Sequence, residues 1–174
     1  MNYHDYYDSP LGRILLTSDE LGLTGLYFAD EADEEMSNAS EATVPESSSI
    51  TQAKQWLDIY FSGHKPDFTP PLHLTGSPFR VRVCEIMLEI PYGQTISYGE
   101  IAKRIAQERG AARMSAQAVG GAVGHNPISL IVPCHRVIGA TGNLTGYGGG
   151  IDRKIALLRL EGIDTDQFSI PKTR

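Results

Sequence analysis

The sequence predicts an α/β chain of the α+β kind. A small N-terminal antiparallel sheet with one helix precedes a helical C-terminal domain that carries a helix-turn-helix and a candidate active-site cysteine. Three observations predict this. The first thirty residues alternate apolar and polar positions around turn signals, as a half-buried meander does. Pro66, Pro70 and Pro71 then make a linker, and beyond residue 76 the apolar spacing becomes helical, with capping serines at Ser77, Ser97 and Ser115. The domains are accordingly expected at 1–76 and 77–174.

In order along the chain, Ser9-Pro10-Leu11-Gly12 and Asp19-Glu20-Leu21-Gly22 are the turns of the meander, with strands over 13–17 and 23–28. Residues 30–49 are acidic and Ser/Ala-rich, which predicts a poorly ordered surface loop. Ile50, Ala53, Trp56, Leu57 and Tyr60 form one apolar stripe of a helix closed by Ser62-Gly63. Ser77-Pro78 is an N-cap with Pro at the first helical position, and Val81 to Ile90 continue as a buried helix. Ser97-Tyr98-Gly99-Glu100 has the form of a capping box for a helix to about Glu108, broken at Gly110. Ser115 caps the next helix, in which Ala116, Ala118, Gly120, Gly121, Ala122 and Gly124 offer almost no bulk; such a helix can approach another backbone closely. Ile128 to Val132 is a short strand-like run leading into Pro133-Cys134-His135-Arg136. A Gly-rich loop over 139–150 follows, and Asp152 is expected to cap a last helix ended by Gly162.

With 174 residues and 41% hydrophobic content, the chain can bury a core without metals or disulfides. Its two cysteines, Cys84 and Cys134, stand fifty positions apart and outside any zinc-ligand spacing, so no metal is expected. No signal-peptide pattern or membrane-spanning apolar run is present, and a cytoplasmic location with no membrane partner is expected. The net charge of −6 argues against a nucleic-acid partner only if charge is uniform. Residues 1–76 hold 3 Lys+Arg against 13 Asp+Glu, whereas 77–174 hold 12 against 8, so the second half is where a polyanion could dock.

Cys134 lies where an apolar run meets a Gly-rich loop, beside His135 and Arg136, both able to favour a thiolate. Taken alone it is a candidate nucleophile, and equally a small buried hydrophobe; Cys84, inside an apolar helical pattern, reads as the latter. Lowering a thiol pKa from about 8.5 to about 7 raises the thiolate fraction at neutral pH from roughly 3% to roughly 50%, but nucleophilicity falls in parallel, leaving only about a threefold gain. Positioning of the electrophile and stabilisation of the leaving group must supply the rest.

The segments Ser115 to Ala122, Asn126-Pro127, Pro133-Cys134-His135-Arg136-Val137, Gly146-Tyr147-Gly148-Gly149 and Leu157-Leu158-Arg159-Leu160-Glu161, in this order, closely resemble the O6-alkylguanine-DNA alkyltransferases. The resemblance is strong over 77–163 and only topological over 1–76, where it implies a ribonuclease H-like domain. It implies that Cys134 accepts an alkyl group irreversibly, that His135 is its base through a water, that Glu161 orients His135, and that Asn126 braces the turn. It further implies double-stranded DNA containing O6-alkylguanine, and also O4-alkylthymine, as substrate. The DNA is bound through the minor groove by a monomer with no cofactor. Tyr98, Gly99, Ser115, Gln117, Ala118, Gly120, Arg136, Val137, Tyr147 and Gly148 are the implied DNA or substrate contacts. Many members place an intercalating Arg where this chain has Gln117, which predicts weaker or more salt-sensitive DNA affinity. A thiol hydrolase, or a sensor that binds alkylguanine without repairing it, remains an alternative.

Overall fold

The computed structural model describes residues 3–29, 48–139, 142–144 and 150–169, which form two compact units. The first contains the chain up to Thr75 together with Pro127–Ile131; the second contains Gly76–Asn126 and the chain from Val132 onward. Residues 30–47 of the expected loop over 30–49, and most of the 139–150 loop, including Tyr147 and Gly148, lie outside the described residues, while Ser48 and Ser49 are helical instead.

In the first unit, β1 (Tyr3–Ser9), β2 (Gly12–Ser18) and β3 (Leu23–Phe28) form an antiparallel meander. The turns work as their residues dictate. The Asp19 carboxylate accepts from the Leu21 and Gly22 amides at 2.9 and 3.2 Å, an Asx arrangement that reverses the chain. Gly22 is needed for space, because a Cβ there would meet the backbone carbon of Pro71 at 2.7 Å. That approach lets Leu23 donate to the Pro71 carbonyl at 2.8 Å and ties the proline-rich stretch to β3. Helix α1 (Ser48–Phe61) packs on β1 and β2 through Ile50, Ala53, Trp56, Leu57 and Tyr60. Tyr7 in β1 donates to Asp58 at 2.6 Å, fixing the helix to the sheet.

The sequence expectation of a strand over 128–132 is corrected. Only Ile128 bridges to Leu26, and Leu130 turns the chain with a left-handed φ of 70°. A left-handed residue ends an extended run at once. The segment's Ser129 amide donates to Leu26 at 3.0 Å, so this short piece belongs to the first unit although it lies far along the sequence.

In the second unit, α2 (Pro78–Leu88) is capped by Ser77, whose hydroxyl accepts from the Arg80 amide at 3.2 Å. Helix α3 (Tyr98–Arg109) is capped by Ser97 and stopped by Gly110 at φ 64°. Helix α4 (Ala116–Gly124) is capped by Ser115 and packs against α2 and α3 through Val119, Ala122 and Val123, completing the helix-turn-helix. Strands β4 (Ile96–Ser97) and β5 (Val137–Ile138) pair in parallel. Helix α5 (Ile151–Leu160) begins after Gly150; Asp152 sits in its first turn and makes no cap, correcting the expected start. No helix among the described residues is long and apolar enough to cross a membrane.

Candidate active site

Cys134 occupies a tight passage of chain. Val132-Pro133-Cys134 forms an inverse γ-turn, with Pro133 at φ −81° and ψ 67° and the Cys134 amide donating to the Val132 carbonyl at 2.8 Å. A single 3₁₀ turn, Cys134–Arg136, follows and runs into β5. The Asn126 side-chain amide donates to the same Val132 carbonyl at 2.8 Å, so the γ-turn is braced from both sides. Cys84 lies with its sulfur 4.0 Å from the Asn126 carbonyl oxygen, and burial pushes its thiol up to about 11. Cys134 keeps 7% of its surface accessible.

The cysteine's neighbours form one buried network. His135 Nε2 and Glu161 Oε2 are 2.6 Å apart, while Glu161 Oε1 accepts from Arg136 Nε at 2.8 Å and from the Gly93 amide at 2.9 Å. Burial works against the Glu161 charge, but the bonds from His135 and Arg136 outweigh it and hold the carboxyl at about 2. An ionised carboxylate only accepts, so Nε2 of His135 carries the hydrogen and Nδ1 is the basic nitrogen. Burial drives the His135 pKa below its ordinary value despite Glu161, which keeps the ring neutral and able to take a proton.

Arg136 and Val137, read from the sequence as DNA or substrate contacts, are interior. The Arg136 guanidinium donates to Glu161 and to the Ile90 carbonyl at 2.8 Å, over the Tyr92 ring. Val137 is fully buried in β5, and its carbonyl accepts from Lys154 at 2.7 Å. Val137 is drawn inward by its pairing with Ile96, and Arg136 by its bonds to Glu161 and Ile90. Lys154 was not singled out from the sequence, although Lys154, Leu157, Leu158 and Glu161 share the i, i+3, i+4, i+7 stripe of α5.

The remaining candidates stand on the helix-turn-helix. Tyr98 starts α3 half-buried, its ring 3.9 Å from where a Gly120 Cβ would sit. Gly99, Ser115, Gln117 and Ala118 are exposed. A cavity of about 360 Å³ lies in the elbow of α3 and α4, bordered by Lys103 and Arg113; none of Cys134, His135 or Glu161 lines it. Among the described residues no cluster of three His, Cys, Asp or Glu side chains is placed to hold a metal.

Two family models match this chain. The 6-O-methylguanine DNA methyltransferase DNA-binding domain covers residues 78–163, and the ribonuclease-like domain of the same proteins covers 2–74. The chain belongs to the 6-O-methylguanine DNA methyltransferase family. It is 47% identical over 161 residues to the methylated-DNA–protein-cysteine methyltransferase of Mycobacterium tuberculosis, covering 92% of this chain and 93% of that one. The crystal structure of the M. tuberculosis O6-methylguanine methyltransferase superposes with a TM-score of 0.78 at 44% identity, covering 92% and 93%. A structure of the M. tuberculosis protein in complex with DNA gives 0.74 at 42%, covering 95% and 94%. As in a member of this family, the mixed α/β architecture here pairs a three-stranded sheet unit with a helix-rich second unit.

Proposed function

We propose that this methyltransferase repairs DNA by moving an alkyl group from O6 of guanine, and also from O4 of thymine, onto Cys134 in a single irreversible turnover. The observation that carries the reading is the buried His135–Glu161 pair, 2.6 Å apart, next in the chain to a buried Cys134. It supplies a nucleophile, a base and an orienter.

The step balances as follows. The Cys134 proton passes through a water to His135 Nδ1, the thiolate forms an S–C bond, and the C–O bond breaks with its electron pair left on the base. The departing guanine takes one proton, helped by the Tyr98 hydroxyl, so a thioether and a normal base result and no cofactor is required. Asn126 holds the turn rigid, which matters because alignment supplies most of the rate. Arg136 and the Val137 carbonyl act as internal supports of that turn.

O6 lies within the base stack, so the nucleotide must be extruded. The exposed small face of α4, with Ser115, Ala118 and Gly121, approaches the minor groove, while Gln117 fills the gap. Tyr98, backed by Gly120, displaces the phosphate. The second unit thus binds DNA and accepts the alkyl group, as a monomer in the cytoplasm. Incubation with an equimolar duplex containing O6-methylguanine should place one methyl on the Cys134 peptide by mass spectrometry, with no transfer by Cys134→Ser. Repeated turnover, as a thiol hydrolase would show, or tight binding with an unmodified thiol, as a sensor would show, overturns the proposal.

A further inference from the structure

We propose that the cavity in the elbow of the helix-turn-helix is the electrostatic anchor for the DNA backbone, in which Lys103 and Arg113 hold a phosphodiester of the bound duplex. This deepens the reading of the second unit as the DNA-binding one and rests on it.

The need for such an anchor follows from α4. Ala116–Gly124 contains no Lys, Arg or His, so the helix that approaches the groove brings no cation with it. Affinity for a duplex comes largely from cations that replace the counterions of its phosphates. The charge that holds the backbone must therefore stand beside α4 rather than on it.

The elbow places that charge. Its cavity of about 360 Å³ is at the lower end of the sizes that hold small ligands. Ala102 and Ala106, both buried, and the half-buried Met114 form an apolar floor. Lys103, Gln107 and Arg113 are exposed at its edge, and no acidic residue lines it. Lys103 and Gln107 stand one turn apart on α3, on the face that also carries Ala102 and Ala106, while Arg113 comes from the turn beyond Gly110. Two cations and an amide around an apolar floor match a phosphodiester, whose oxygens take the donors while deoxyribose carbons pack on the alanines. Arg82 and Arg104, by contrast, are taken up by Glu85, Glu89 and Glu108. Among the described residues Lys103 and Arg113 have no ion-pair partner, so both can turn to a phosphate without breaking a contact. Ala116, the first residue of α4, also lines the cavity, which sets a phosphate held there at the foot of the groove-facing helix.

The test is the salt dependence of binding by the full chain to labelled undamaged duplexes of two sequences, followed by fluorescence anisotropy. Each phosphate contact contributes about 0.9 to the slope of log affinity against log salt. Lys103→Gln and Arg113→Gln should each flatten the slope by about that amount, and the double variant by about twice as much, equally on both sequences. Lys65→Gln makes the same change of charge at an exposed site of the first unit and should leave the slope where it is. An unchanged slope in the double variant, or an equal flattening by Lys65→Gln, overturns the proposal. Should the double variant not fold, the wild-type protein decides: acetylation by an amine-reactive ester, read by mass spectrometry, should be blocked at Lys103 by the duplex, and a Lys103 that reacts equally with and without DNA overturns the idea. Methyl transfer to Cys134 by the wild-type protein is scored separately. Flattened slopes without transfer would leave the anchor standing and remove the repair function, whereas transfer with an unchanged slope would do the reverse.

Discussion

At the scale of single residues, Glu161 is where the most interactions converge. Its two oxygens serve His135, Arg136 and the Gly93 amide, and the two side-chain partners are held away from water. Glu161→Gln keeps the shape but leaves the Arg136 guanidinium buried without its counter-charge, a change that costs about 3 kcal/mol or more in comparable buried pairs. Urea unfolding should show that loss, and methyl transfer should fall at least tenfold because the His135 tautomer is no longer fixed. A variant with wild-type stability would mean that Arg136 finds another partner. Glu161 and His135 were legible in the sequence as part of a motif; the burial of Arg136 against Glu161 was not, and Lys154 was passed over. Long cationic side chains usually reach solvent; Arg136 is held inward by Glu161 and the Ile90 carbonyl, and Lys154 by the Val137 carbonyl, partners that the local sequence pattern does not show.

Among the secondary-structure elements, two glycines give opposite expectations. Gly110 ends α3 at φ 64° with nothing within 4 Å of where a Cβ would sit, so Gly110→Ala tests backbone strain alone and should lower stability by about 1 kcal/mol. Gly121 lies inside α4, also with open space around it, so Gly121→Ala should raise stability by about 0.5–1 kcal/mol. If α4 enters a groove, the same methyl should weaken duplex binding, by about tenfold for each 1.4 kcal/mol of lost fit; fluorescence anisotropy with a labelled duplex measures it. Gln117→Arg, on the exposed first turn of α4, should tighten binding and steepen its salt dependence by about one phosphate contact. Equal affinities would remove Gln117 from the interface. These helix boundaries were readable because caps are local: Ser77, Ser97, Ser115 and Gly110 each act on amides or dihedrals within a few residues. The 128–132 run was not readable, since Leu130 adopts its left-handed turn in a segment whose hydrogen bonds go to β3 a hundred residues earlier.

For the molecule as a whole, the buried network sets how stability responds to acid. His135 has its pKa lowered by burial, so the native state resists a proton that the unfolded chain takes up near its ordinary value of about 6.5. Stability is therefore fully present above that value and declines below it, by up to about 1.4 kcal/mol per pH unit for one such group. Glu161, held at about 2, adds a second decline as pH falls below the ordinary glutamate value of about 4.3 and continues toward 2. Asp19 in the first unit, bonded to His73 at 2.5 Å and likewise lowered, strengthens this acid limb. Urea midpoints followed by far-UV circular dichroism should thus be level from about pH 7.5 to 6.5, then fall in two stages. His135→Gln places an uncharged amide donor opposite Glu161 and should remove the upper stage while leaving the lower one. If the variant retains a break near pH 6.5, the titrating group is a different histidine, and the neutral, basic His135 on which the transfer chemistry depends would not exist.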